Sequence, residues 1–209
     1  STMPNWCDNT LTVSGDAEQL ADFLAKSITK DDNFLMNGTY PMPQELDGST
    51  SPSMYQGDKD DENAKRQHRQ YMAHLKHQYG YDNWYDWRVR NWGTKWDVTD
   101  YYCSVKDATE FVCTFSTAWA PPIYWMQYVS KLYPKLVFRI SYIEEGMQFC
   151  GVSDAINGQL TDTAGEIHHE DEDGRRVVWD SKKDRWKYED DGTVIDDEDF
   201  YPNPVNSID

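Results

Sequence analysis

The sequence is short of positive charge, cysteine and long apolar runs, and each shortage removes a class of function. Twenty lysines and arginines stand against 37 aspartates and glutamates, a net charge of −17. Affinity for a phosphate backbone comes from cationic side chains that displace counterions, so direct nucleic-acid binding is not the expectation. The four cysteines, Cys7, Cys103, Cys113 and Cys150, form no C-x-x-C pair. Zinc and thioredoxin-type chemistry therefore fail on spacing, and reduced, mostly buried thiols are expected. No run of 18 apolar residues occurs, which removes a membrane-spanning helix. Pro4 to Asp8 hold neither a basic nor an apolar signal region, so a cytoplasmic location is expected, and Ser1-Thr2 read as additions ahead of a native start at Met3.

Catalytic signatures are missing as well. G-x-S-x-G, a P-loop, a dinucleotide fingerprint and H-E-x-x-H are all absent from the sequence. His168-His169 lacks the residue that separates the histidines of single-strand nickases of the His-hydrophobe-His class. His68, His74 and His77 have no carboxylate at ligand spacing, and Asp86, Asp97 and Asp100 sit among turn formers. The expectation is a protein with no catalytic residues, no metal and no cofactor.

Aromatic residues, by contrast, are plentiful and concentrated. Four of the nine tryptophans fall within thirteen positions, in Trp84-Tyr-Asp-Trp87-Arg-Val-Arg-Asn91-Trp92-Gly93-Thr-Lys-Trp96-Asp97. Aromatics at 84, 85, 87, 92 and 96 follow neither the strand nor the helix period, and Asn91, Gly93 and Asp97 favour turns. An ordered loop anchored by indoles is expected. Arg88, Arg90 and Lys95 lie among the rings, where cations stack on indole. Trp87, Arg88, Arg90, Trp92, Lys95 and Trp96 are therefore candidates for binding a partner or ligand; the competing reading is a crossover pinned into the core by its tryptophans.

Around that stretch the chain alternates strand and helix patterns. Asn9–Ser14 reads as a strand, and 16–28 as a helix capped by Asp16, with Leu20, Ala21, Leu24 and Ile28 on its apolar stripe. Residues 38–57 are rich in Gly, Pro, Ser and Asp and hold no long element, while 58–79 recovers a helical period. Residues 98–105 and 110–117 form a hairpin that sets Cys103 opposite Cys113. A helix entered through Pro121-Pro122 follows, then a strand over 136–142 and an edge strand over 147–151. The order is a split βαβ: an α+β, ferredoxin-like antiparallel sheet with two helices on one face and a helical, Trp-rich insertion at about 38–97. The open face carries Thr10, Thr12, Tyr102, Ser104, Val112, Thr114, Val137 and Arg139, too few aromatics for stacking bases across a sheet.

The ferredoxin-like domain is expected over 3–159 and an acidic appendage over 160–209, where 16 acids face 6 bases. Arg175–Trp179 and Arg185–Tyr188 suggest a hairpin around Asp180–Asp184, and the last dozen residues read as disordered or draped on the surface.

Several ordered motifs resemble the YubB-like family: Met3-Pro-Asn-Trp6-Cys-Asp-Asn9-Thr-Leu-Thr-Val-Ser-Gly15, Pro41-Met-Pro43, Asn91-Trp-Gly-Thr-Lys-Trp-Asp97, Phe115-Ser-Thr-Ala-Trp119-Ala-Pro-Pro122, and the run from Tyr133-Pro134 through Phe149-Cys-Gly151. The resemblance covers residues 3–151. It implies an origin on bacteriophages or conjugative plasmids, a bacterial host cytoplasm and a ferredoxin-like domain, and it carries no activity or ligand with it.

These features combine into a functional expectation. A phage- or plasmid-borne accessory protein would inhibit a host defence or DNA-handling protein by offering its acidic surface to a basic one. Glu170-Asp171-Glu172-Asp173 and Asp196-Asp197-Glu198-Asp199 are the candidate contacts, since carboxylates about 3.3 Å apart along extended chain approach the ~3.4 Å charge spacing of one DNA strand. The alternative is a nucleotide- or nucleic-acid-binding module built on the loop at 84–97.

Overall fold

The computed structural model describes residues 4–208. The expected additions Ser1 and Thr2, and Met3 itself, lie outside the described residues. Strand β1 (Trp6–Gly15) leads into helix α1 (Ala17–Ser27), whose first turn is closed by the Asp16 carboxylate accepting from the Gln19 amide. Helices α2 (Glu62–Tyr79) and α3 (Trp84–Asn91) occupy the insertion. Strands β2 (Thr99–Asp107) and β3 (Glu110–Ala118), helix α4 (Ile123–Leu132) and strand β4 (Leu136–Glu144) complete the split βαβ.

The first sheet has the order β2-β3-β1-β4-β5-β6, where β5 is Phe149–Ile156 and β6 is Gln159–Gly165. Strand β1 lies between β3 and β4 and is antiparallel to both, the arrangement that two interleaved βαβ units require. Alternation along the strands sends Leu11, Val13, Phe111, Phe115, Phe138 and Ile140 to the buried face. Phe23 of α1 and Trp125 of α4 pack there, and Phe23 meets Phe111, Trp125, Tyr133 and Phe138 at centroid separations of 5.5–6.4 Å. The expected edge strand forms as β5, but it is interior, because β6 pairs along its far side.

Three expectations are corrected. The tryptophan stretch is not all loop: Trp84–Asn91 is helical, capped by Asn83, whose side chain accepts from the Asp86 amide. Its period is hidden because rings on several sides of α3 find packing partners. Cys103 and Cys113 do face each other, at a Cα separation of 4.1 Å, and are joined in a disulfide; Cys7 and Cys150 are not bridged. The acidic segment, finally, forms a second sheet of order β10-β7-β8-β9. Here β7 is Ile167–Glu170, β8 Arg176–Asp180, β9 Arg185–Tyr188 and β10 Asn203–Asn206. The hairpin of β8 and β9 sets Trp179 opposite Trp186. Strand β10 lies within the last dozen residues, expected to be disordered or draped on the surface. It is held because the Asn206 amide donates to the Tyr142 and Gly151 carbonyls of the first sheet, at 3.2 and 2.8 Å. Among the described residues no helix is long and apolar enough to cross a membrane.

Candidate functional site

The tryptophan segment divides into an inner and an outer part. Trp87 and Trp92 are 5% and 1% exposed and meet edge to face at 5.7 Å. The Trp92 indole N–H donates to the Tyr40 carbonyl at 2.9 Å. These two candidates are core residues, which rules them out as direct contacts for a partner in this conformation. Arg88 is enclosed between Trp84 and Trp92, 5.1 and 5.3 Å from their ring centroids. The expected stacking of guanidinium on indole is therefore present, but as internal packing. Asp97 fixes the segment to the chain after α1: its carboxylate accepts from the amides of Met36, Asn37 and Val98 at 2.8–3.1 Å. Burial pushes that carboxyl up, and the three donors together with Arg88 oppose the shift.

The outer part is smaller. Lys95 lies over Trp96 at 4.3 Å and near Trp119 at 5.2 Å, and Trp96 packs on Trp6 at 6.1 Å. Trp119 is 56% exposed and has φ of 71°, a left-handed conformation uncommon for a bulky residue. Arg90 is exposed. Of the six candidates in this segment, then, Arg90, Lys95 and Trp96 remain reachable.

The acidic clusters are folded into turns. Asp171 bends its own chain, with its carboxylate accepting from the amides of Asp173 and Arg175 at 3.0 and 2.8 Å and from the Tyr188 hydroxyl. Asp197 accepts from the Asp199 amide in the same way. Neither cluster is the extended row that would match the charge spacing of a nucleic-acid strand. Glu170 is engaged by His168 and Glu198 by Arg185, at 2.9 and 2.8 Å. Glu172, Asp173, Asp196 and Asp199 have no ion pair among the described residues and are exposed.

Beside these clusters lies a cleft of about 660 Å³ between the second sheet and the turn that joins β4 to β5. Trp179 and Trp186 meet there edge to face at 5.5 Å, and His169 packs on Trp186 at 5.0 Å. Burial holds the His169 imidazole below its ordinary range. Tyr201 crosses from the second sheet and donates its hydroxyl to Glu145 at 2.7 Å. Sequence reasoning missed this site. The signal was the register of the hairpin, which sets two indoles opposite each other on one face. No group of three or more His, Cys, Asp or Glu side chains suited to a metal ion occurs among the described residues.

Comparison with known proteins places part of this architecture in a described class. Residues 91–182, spanning β2 to β8, match the family model for the ferredoxin-like domain in Api92-like protein. Among solved structures the chain is similar to the crystal structure of a protein api92 from Yersinia pseudotuberculosis, at 12% identity and a TM-score of 0.48, over 78% of this chain and 98% of that one. No curated protein matches.

Proposed function

We propose that this chain is a binding protein whose acidic surface engages a basic surface on a protein partner. Concentration of unpaired carboxylate carries the reading: Glu172, Asp173, Asp196 and Asp199 are exposed on the turns of the second sheet in a chain of net charge −17. Such a field attracts a cationic partner over roughly a Debye length, ~8 Å at physiological salt, and repels nucleic acid. The resemblance to phage- and plasmid-borne proteins points to a host defence or DNA-handling protein as the partner and to inhibition as the outcome. Mimicry of a nucleic acid, on this reading, rests on charge assembled from separate turns of a folded sheet. The loop at 84–97 is a weaker candidate for binding nucleotides, because Arg88 is already enclosed by indoles.

The test is capture from bacterial lysate, with and without nuclease treatment, by the full chain and by a variant carrying E172Q, D173N, D196N and D199N. A partner retained by the full chain and lost by the variant, with recovery falling as salt rises, supports the reading. Equal capture by both proteins, or capture that disappears with nuclease, overturns it.

A further inference from the structure

The aromatic cleft on the second sheet has a chemistry that the acidic turns alone do not specify. Two indoles set edge to face and the ring of Tyr201 offer π faces and edges, with Trp179 49% and Tyr201 73% exposed. The charged side chains that line the cleft beside them are Glu145, Glu189 and Arg176. Arg176 is matched by Glu189 at 3.3 Å, which leaves Glu145, bonded through its carboxylate to the neutral Tyr201 hydroxyl, without a cation among the described residues. An aromatic cleft with one unmatched negative charge complements a cation that can stack.

The same sheet already builds that arrangement for itself. Arg175 lies over the Tyr188 ring at 3.6 Å, while the Asp190 and Asp191 carboxylates accept from its guanidinium N–H groups at 2.7–3.0 Å. Ring below and carboxylates beside the guanidinium is a stable geometry on this scaffold. In the cleft the rings and the Glu145 carboxylate are present, while the guanidinium that lines it, Arg176, is paired with Glu189 and not with Glu145.

We infer that the cleft receives an arginine side chain of a protein partner, stacked on Trp179 or Trp186 and neutralised by Glu145. Planarity and weak hydration favour guanidinium over the ammonium of lysine at such a site. The inference rests on the proposed function in that it names what the basic partner inserts, but it concerns different residues and can fail separately.

The experiment follows the tryptophan indole N–H signals of the full chain by proton–nitrogen correlation NMR, assigned with W179F and W186F. N-acetyl-arginine amide is titrated in, with N-acetyl-lysine amide and adenosine monophosphate as the other probes. The arginine derivative is expected to shift the Trp179 and Trp186 signals saturably, to bind more tightly than the lysine derivative, and to bind about fivefold more weakly to E145Q. W179A, which alters an exposed ring, supplies a second variant should E145Q disturb the Tyr201 crossover. Stronger shifts of the same signals by the nucleotide, or equal shifts at all indoles, would overturn the inference. Loss of lysate capture in the carboxylate variant with no arginine binding would also overturn it, while leaving the acidic-surface reading in place.

Discussion

Asp97 shows how much of this insertion depends on one carboxylate. It joins the end of the tryptophan segment to Met36 and Asn37, some sixty positions earlier, through their two backbone donors, and accepts a third bond from the neighbouring Val98 amide. Removing the acceptor leaves the amides of the buried residues Met36 and Val98 without it, while the exposed Asn37 amide can turn to water, and each buried donor left unpaired costs about 1–3 kcal/mol. Asp97→Ala is therefore expected to lower stability by about 2–4 kcal/mol in denaturant unfolding. Asn at that position should recover part of this, because one amide oxygen can serve only some of the donors. The cysteines make a second case at this scale. Cys7 and Cys150 are buried and outside the disulfide, and burial pushes the Cys7 thiol far up, so neither should react in the native protein. With Cys103 and Cys113 bridged, thiol titration of the denatured chain should return two groups without reductant and four after reduction. Four groups without reductant would show the pair to be open.

Elements differ in how well the chain announces them, and the difference follows where side chains find partners. Strands β1, β3 and β4 have one wet and one dry face, so their alternation is plain, and the interleaved order of the first sheet follows from it. Helix α3 is obscure because it has only eight residues, its inner face of Trp84, Trp87 and Arg88 includes a cation, and Tyr85 and Val89 on other sides are half-buried, so no clean apolar stripe shows. Strands β7 and β10 are obscure for another reason. Four residues each are too few for a period, and β10 is held by the Asn206 amide on carbonyls of a distant sheet. The candidate site divided the same way: Trp179 and Trp186 were visible as β-prone residues, but Tyr201 and Glu145 join them only through the tertiary fold. Strand β7 also carries a consequence for pH. Burial lowers the His169 imidazole from its ordinary 6.5, and the nearby Glu145 charge opposes this only in part. The unfolded chain therefore takes up the proton at higher pH than the folded one. Stability from this group is present above about 6.5 and is lost as pH falls through the folded value. Amide exchange in β7 and β8 should quicken relative to the first sheet between pH ~7 and ~5, and His169→Phe should remove that relative change.

At the level of the whole molecule, charge and fold are not separable in the way the composition suggests. The acidic residues after position 160 could be cut away only if they formed a detachable tail, and the structure ties them down in three places. Strand β6 is the sixth strand of the first sheet, Asn206 donates to carbonyls of β4 and β5, and Tyr201 reaches Glu145. Truncation before Gln159 would expose the edge of β5, whose residues Cys150 to Ser153 are buried, and strip the two carbonyls of their amide. Loss of those hydrogen bonds and of the packing under Leu160 amounts to about 3 kcal/mol or more. For a chain of this size, about 1 kcal/mol moves the melting temperature by ~2–4 °C. A 1–158 chain should therefore melt at least about 6 °C below the full chain and tend to associate through the exposed β5 edge. The four-site neutralised variant should melt close to the full chain, since none of its targets is ion-paired among the described residues. If the truncated chain instead melted at the temperature of the full one and stayed monomeric, the second sheet would be an appendage after all. Loss of binding on truncation could then be read as loss of acidic surface, whereas with a destabilised truncation only the neutralised variant separates charge from fold.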